Sequence, residues 1–143
     1  MRQRPLSAAT LSAMTFETVQ LPDRADEIAP DGSDVRHLAH TSVVEMAHFR
    51  FAPGRISSAT RHRTISEVWF VLSGRGSMWR ADGDGNESVV DLFPGVSVSI
   101  PVGVSFQFRS DGPGDLDILG AEAPPWPGMD EAVHVDGPWT ATG

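Results

Sequence analysis

Histidine and carboxylate side chains are the candidate carriers of chemistry in this sequence. The chain has five histidines and no cysteine, which excludes disulfides, thiolate metal sites and a cysteine nucleophile. No GxSxG elbow, phosphate-binding P-loop or dinucleotide-binding glycine motif is present. His62 precedes Glu67 by four intervening residues. An imidazole with an ordinary pKa of about 6.5 can gain or lose a proton near neutrality, and a neighbouring carboxylate favours its charged form.

The elements that must position these residues are predicted to be strands. The 14 glycines and 11 prolines indicate many turns and few long helices. Runs of β-branched and aromatic residues recur roughly every 8 to 12 residues, with turn signals such as Pro53-Gly54 between them. This pattern predicts an all-β sandwich, jelly roll or closed barrel.

Alternation along two of these runs assigns side chains to faces. The run over residues 42–51 places Phe49 and Phe51 on the core face and His48 on the opposite face. Residues 67–80 form two apolar runs around Ser73-Gly74-Arg75-Gly76, which indicates a hairpin. The first of these runs is apolar on both faces, so it predicts cover from a second sheet or from a partner subunit.

Composition limits the partners of the chain. The formal net charge of −8 argues against nucleic acid and anionic membranes as partners. The N-terminal residues lack the continuous apolar stretch of a secretory signal, and no run is long enough to cross a bilayer. We therefore expect a cytoplasmic protein in which residues 1–14 form a flexible tail.

Two spaced motifs resemble those of the cupin family. In the first, Gly54 is followed by five residues, Thr60-Arg61-His62, four residues, Glu67, six residues and Gly74. The cupin motif has His-x-His in the place of Thr60-Arg61-His62. The first metal-binding histidine of the family is therefore replaced by Thr60, while His62 and Glu67 are retained.

The second motif keeps its framework and lacks its ligand. Gly95 is followed by five residues, Pro101-Val102-Gly103, two residues, Phe106, three residues and Ser110. Cupins carry a ligand histidine where this chain has Phe106, and an asparagine where it has Ser110.

The resemblance implies a cupin double-stranded β-helix, or jelly-roll barrel, formed by residues 15–143 as a single domain. The motifs and their strands cover about residues 42–121, and a proline-rich segment, residues 122–143, is expected to wrap across the barrel surface or its mouth. Homodimers are common among cupins, so a homodimer is also expected.

The resemblance also bears on metals and on catalysis. In cupins, three histidines and a glutamate bind one divalent transition metal inside the barrel. This chain keeps His62 and Glu67, whereas two histidines and a carboxylate are the usual minimum for non-haem iron. We therefore expect no firmly bound cofactor, with a divalent metal at His62 and Glu67 as the alternative. Without metal, His62 and Glu67 remain as an acid/base pair.

Aromatic residues around this pair predict the pocket lining. The resemblance and strand alternation together direct Thr60, Trp69, Phe106 and Phe108 inward, with Phe49, Phe51 and Trp79 nearby. Such a lining suits a small, largely apolar or aromatic molecule. The alternative is that these rings only fill a small barrel.

Three functions follow as hypotheses. The first is a metal-independent isomerase, cyclase, dehydratase or lyase, with His62 as the proton-transfer residue and Glu67 as its orienting partner. The second is a binding or regulatory protein that uses the same cavity without chemistry. The third is a metal-dependent oxygenase with an incomplete ligand set.

Overall fold

The chain folds almost entirely into β-strands. The structure, a computed structural model, describes residues 16–142, so the predicted tail over residues 1–14 lies outside the described residues. A 3-10 turn at Met129–Glu131 is the one helical element of the described part, and no helix in that part is long and apolar enough to cross a membrane. The strands are β1 (Glu27–Ile28), β2 (Asp34–His40), β3 (Glu45–Phe51), β4 (Thr60–His62), β5 (Ser66–Ser73), β6 (Gly76–Ala81), β7 (Glu87–Leu92), β8 (Ser97–Ile100), β9 (Ser105–Ser110), β10 (Leu116–Ala123) and β11 (Ala132–His134).

The strands form two antiparallel sheets. One has the order β1-β2-β3-β10-β5-β8 and the other has the order β11-β4-β9-β6-β7. From β3 onward the chain crosses to the other sheet at every connection except that between β6 and β7. Two facing antiparallel sheets connected in this way confirm the predicted all-β jelly roll.

Aromatic rings from both sheets fill the space between them. The Trp69 ring lies edge-on to the rings of Phe106 and Phe108, with centroids 5.7 and 5.2 Å apart. The Phe51 ring lies 4.9 Å from that of Phe108. All four rings are buried, and they belong to one continuous core cluster. These rings therefore fix how the sheet that contains β5 packs on the sheet that contains β9.

The second sheet covers one of the two apolar faces of β5. Trp69 and Val71 point into the core. Val68, Phe70 and Leu72, which alternate with them, are about half exposed on the outside of the six-stranded sheet. The prediction of cover is thus met on the inner face by the second sheet, while the outer face remains an exposed apolar surface.

The proline-rich C-terminal segment contacts both the mouth and the outside of the barrel. β10 extends to Ala123, so the segment begins two residues later than the predicted start at 122. Trp126 lies over the cavity, and β11 then pairs with β4. Farther on, the Trp139 backbone exchanges hydrogen bonds with the Gln107 side chain on the outer face of β9.

Gly120 in β10 allows two aromatic rings to meet across that strand. A Cβ atom at this position would lie 2.6 Å from Cε2 of Phe49 on β3 and 3.2 Å from Cδ1 of Trp69 on β5. The two ring centroids are 5.4 Å apart. The missing side chain at Gly120 therefore sets the packing of the floor beneath the cavity.

We predict that Gly120→Ala lowers the free energy of unfolding by about 1–3 kcal/mol, because the added methyl group overpacks the Phe49–Trp69 contact. Urea denaturation followed by circular dichroism measures the change. Gly83→Ala is the control, since nothing lies within 4 Å of a Cβ there. Equal stability of the two variants would contradict this account of Gly120.

Candidate active site

A small cavity lies between the two sheets at one end of the barrel. Its volume is about 30 Å³, which is room for about one water molecule. Phe49, Trp69 and Trp126 supply its aromatic surface. The polar lining comes from Glu27, Asp31, His37, Thr60, His62, Glu67 and Glu122. Ala29, Pro30, Val35 and Ala132 complete the lining, so the cavity combines apolar surface with more acidic groups than the sequence predicts.

His62 in β4 and Glu67 in β5 meet in this cavity from opposite sheets, although the two strands are consecutive in the chain. His62 Nδ1 lies 3.5 Å from Glu67 Oε2, and both side chains are buried. Alternation in β4 turns Thr60 and His62 inward and leaves Arg61 exposed. Neither His62 Nδ1 nor Glu67 Oε2 has a hydrogen-bond partner among the described residues. The predicted pair is thus brought together, with two buried polar atoms left for a ligand.

Glu131 holds the loop that joins these two strands. Its carboxylate accepts hydrogen bonds from the backbone N–H groups of Arg63 (2.8 Å) and Thr64 (3.0 Å), and the Thr64 hydroxyl also donates to it. These bonds lower the pKa of Glu131 below its ordinary value, although burial opposes them. A charged Glu131 therefore fixes the approach of His62 to Glu67.

Two aromatic rings orient the His62 imidazole. The Phe106 ring lies edge-on at 5.4 Å and the Trp126 ring lies edge-on at 5.5 Å between centroids. Thr60 pairs with Phe106 in the β4–β9 register. Thr60, His62 and Glu67 thus converge on the cavity as the motif spacing predicts, whereas Phe106, predicted as a lining residue, packs behind the imidazole and does not line it.

The other predicted lining residues divide among three locations. Phe49 and Trp69 line the cavity. Phe51 and Phe108 lie in the core cluster. Trp79 is wrongly placed by the sequence reasoning, because Met78 is the residue of β6 that enters the core and the next side chain points outward. There the Trp79 indole N–H donates a hydrogen bond to the Glu87 carboxylate.

Sequence reasoning missed the second buried carboxyl group of the cavity. Glu122 in β10 pairs directly with Glu67 in β5, so the two side chains lie on the same inner face. Both are about 4% exposed. The signal was present in β10, where Leu116, Ile118 and Gly120 predict an inward-facing row that ends at Glu122.

The two carboxyl groups hold protons more tightly than an exposed glutamate does. Burial, followed by the proximity of Glu122, raises the pKa of Glu67 well above its ordinary value. Burial also raises the pKa of Glu122 to about 7, although a hydrogen bond with Glu67 opposes this shift. Since two like charges so close cannot both form easily, the pair retains a shared proton at neutral pH.

His62 is the electrically neutral member of the site. Burial lowers the pKa of its imidazole, and the charge of Glu131 opposes that shift less strongly. The expectation that a neighbouring carboxylate would favour the charged imidazole is not met, because burial of the imidazole outweighs the charge of Glu131. The pKa shifts of His62 and Glu67 thus favour the uncharged form of each group at the 3.5 Å contact.

His37 borders the cavity, and His48 does not. The His37 ring contacts Glu45 at 3.0 Å and Glu27 at 3.1 Å. The hydrogen bond with Glu45 is the largest of the effects that raise the pKa of His37 to about 9. His48 faces the outside of its sheet and contacts Asp117 at 2.9 Å. His37 is thus a charged group that is already paired with carboxylates.

The donor set does not fit a firmly bound divalent transition metal. Among residues 16–142, no group of three or more histidine or acidic side chains has the geometry to hold an ion. Phe106 fills one former ligand position with a ring that packs on His62. Thr60 occupies the other. His62 and Glu67 then offer two donors where three are usual, so these residues do not support a metal-centred step.

Comparisons with solved structures identify similar folds at low sequence identity. Protein BH2720 from Bacillus halodurans is 19% identical, with a TM-score of 0.60 over 73% of this chain and 76% of that one. KdgF from Halomonas sp. is 16% identical, with a TM-score of 0.61 over 71% and 86%. Bacillus subtilis oxalate decarboxylase, studied for its Mn(II) centres, is 15% identical, with a TM-score of 0.64 over 79% of this chain and 30% of that chain. At these identities the likeness shows the fold alone.

Sequence comparison gives the family. No curated protein sequence matches the chain. The family model described as the cupin domain matches residues 47–121, which is 75 of the 143 residues. This range contains both spaced motifs, the retained His62 and Glu67 and the replaced positions Thr60 and Phe106. The chain therefore belongs to the cupin domain family.

Proposed function

We propose that this protein is a metal-independent enzyme of the isomerase, cyclase, dehydratase or lyase type, which moves a proton on a small molecule held in the barrel. His62 is the base and Glu67 is the acid. The observation that carries the proposal is the contact of 3.5 Å between two buried groups, the His62 imidazole and the Glu67 carboxyl group, and the directions of their pKa shifts favour the uncharged form of each.

Both proton states suit their roles near neutral pH. A neutral imidazole can accept a proton from a weakly acidic C–H or O–H group of the substrate, and a carboxylic acid can return a proton to another atom. A base and an acid positioned in this way contribute typically ~10²–10⁴-fold each to a rate. Glu67 is therefore an acid in its own right as well as the orienting partner of His62.

Trp126 controls access to this pair. The cavity of about 30 Å³ is too small for an organic substrate while Trp126 lies against His62. Trp126 is only partly buried and belongs to the segment between β10 and β11. A substrate therefore displaces Trp126 from the mouth, and the ring then covers the bound molecule.

A binding protein without catalysis is the second candidate, and the buried polar atoms of His62 and Glu67 that lack a hydrogen-bond partner among the described residues support it equally. In that case the same groups hold a ligand and no bond is made or broken. A metal-dependent oxygenase is the third candidate, since the oxalate decarboxylase with a similar fold has Mn(II) centres. Elemental analysis of protein purified without chelators separates the third candidate from the first two.

We predict that the metal-free protein catalyses the exchange of C–H protons of a small carbon acid with solvent. Chelator-treated protein in D₂O is incubated with a set of small carbon acids, and proton NMR follows the loss of C–H signals. Exchange should fall by about 10²-fold or more in His62→Gln and in Glu67→Gln. His40→Gln, which changes an exposed imidazole outside the cavity, should leave the rate unchanged.

The pH profile of this exchange gives a further check. The rate should fall below the lowered pKa of His62, where the base is protonated, and above the raised pKa of Glu67, where the acid is lost. Exchange at the wild-type rate in both substituted proteins would sink the proposal. Exchange that appears only after Mn²⁺ is added would favour the oxygenase candidate.

We predict that Glu122 makes stability depend on pH. The pKa of Glu122 is about 7 in the folded state and about 4.5 ordinarily, so the folded state holds this proton more tightly than the unfolded state does. The resulting contribution to stability is fully present below about pH 4.5 and is lost as the pH rises through about 7. Relative to the wild type, Glu122→Gln should therefore gain about 1–3 kcal/mol between pH 5 and pH 8. Urea denaturation at the two pH values measures this, and a difference independent of pH would contradict it.

We also propose a homodimer formed through the outer apolar patch, defined as Met46, Val68, Phe70 and Leu72. Each of these side chains is 40–53% exposed on the six-stranded sheet. Phe70→Glu should convert a dimer into a monomer in light scattering coupled to gel filtration. Val89→Glu, at an exposed position on the other sheet, should remain dimeric. A monomeric wild type would contradict this proposal.

A further inference from the structure

The cavity is acidic and lacks a free cationic side chain. Glu27, Asp31, Glu67 and Glu122 line it, whereas no arginine of residues 16–142 does so, and the chain contains no lysine. His37, the charged imidazole of the lining, is already held between Glu27 and Glu45. Glu27 thus has a cationic partner within the lining, whereas Asp31, Glu67 and Glu122 have none there.

The paired carboxyl groups have acceptor atoms that no other described group satisfies. Glu67 Oε2 and Glu122 Oε2 are buried and accept no hydrogen bond from a backbone or side-chain N–H or O–H donor of the described residues, while the two carboxyl groups bond to each other. A pair that shares one proton carries one net negative charge, and since the pKa of Glu122 is about 7, this charge develops as the pH rises through neutrality. Burying such a charge without a partner is costly, so a cation that reaches this point is bound favourably.

Aromatic surface lies beside these carboxyl groups. Trp69 follows Glu67 by one alternation along β5, so both side chains face inward, and Trp126 lies over His62 at the mouth. Aromatic faces attract an ammonium group and also accept the apolar body attached to it. An aromatic surface supplies no donor atoms to a metal ion, and the described residues provide no group of three histidine or acidic side chains that could hold one. The lining favours an organic cation.

We propose that the cavity binds a small primary amine, with its protonated amino group against the Glu67–Glu122 pair and its apolar part against Trp69 and Trp126. Amine binding would give the cavity a substrate class. The proposal rests on the proposed function in one respect, since it takes the amine site to be the catalytic site. Glu122 supplies the charge that binds the ammonium group, and Glu67 keeps the proton next to His62. Carboxylates and phosphates of the same size are repelled.

The four tryptophans of the chain provide the readout. Trp69 and Trp126 line the cavity, whereas Trp79 and Trp139 lie on the outside of the barrel. Protein labelled with ¹⁵N is titrated with benzylammonium, benzyl alcohol or benzoate, and the indole N–H signals are assigned with single Trp→Phe variants. We expect benzylammonium to shift the Trp69 and Trp126 signals and to leave the Trp79 and Trp139 signals in place. Benzyl alcohol should bind at least about tenfold more weakly and benzoate should not bind.

Substitutions locate the charge that is responsible. Glu122→Gln keeps the size and the hydrogen-bonding capacity of the side chain and removes its charge, so it should weaken benzylammonium binding by about tenfold or more. Asp91→Asn removes the same charge from an exposed position on β7 and should not weaken binding. Unchanged circular dichroism of both variants shows that they are folded, and Glu67→Gln provides a second test at the same pair.

Several outcomes would overturn the amine proposal. They are benzoate binding as tight as benzylammonium binding, wild-type affinity in Glu122→Gln, shifts confined to Trp79 and Trp139, and Mn²⁺ binding without amine binding. The catalytic proposal fails separately. Amine binding without proton exchange would contradict the catalytic proposal alone. Proton exchange on neutral or anionic compounds without amine binding would contradict the amine-binding proposal alone.

Discussion

The burial of two glutamates on neighbouring strands is the constraint on which the other properties of this site depend. Glu67 and Glu122 are register partners on one inner face, so the sheet itself forces their carboxyl groups together. Away from water and from any arginine, the pair cannot carry two negative charges, and it retains a proton. Burial beside this pair also lowers the pKa of the His62 imidazole, so its uncharged form is favoured too. The chemistry of the cavity is thus set by backbone register as much as by the identities of the residues.

The same constraint distinguishes this barrel from one built to hold a metal. Thr60 and Phe106 contribute a hydroxyl group and a ring where the family motif has two imidazoles. The Phe106 ring supports His62 from behind and does not reach the cavity. The raised pKa of Glu67 follows from its burial and then from the proximity of Glu122, which is a second carboxyl group where a metal site would have further basic ligands.

The sequence predicted the fold and half of the site, and the reasons differ from residue to residue. Motif spacing and strand alternation placed Thr60, His62 and Glu67 correctly, because short regular strands preserve a period of two. Alternation also contains the position of Glu122, but a glutamate at the end of an apolar row is ordinarily a solvated strand end, since this residue type is rarely buried. Trp79 was misplaced because the hairpin between β5 and β6 sets which residue of β6 enters the core, and Met78 takes that position. Trp126 was beyond prediction, since an irregular proline-rich segment has no periodicity that assigns a side chain to a face.

The segment between β10 and β11 is anchored at both of its ends. β10 is hydrogen-bonded into the larger sheet on two sides, and β11 is attached to β4, the strand that carries His62. The intervening residues, which include Trp126, are therefore tied to both sheets. Because Ala132 of β11 pairs with His62 of β4, the end of this segment is attached directly to the strand that carries the imidazole. A change in the length of the segment would accordingly alter the position of the His62 ring as well as that of the Trp126 ring that packs on it.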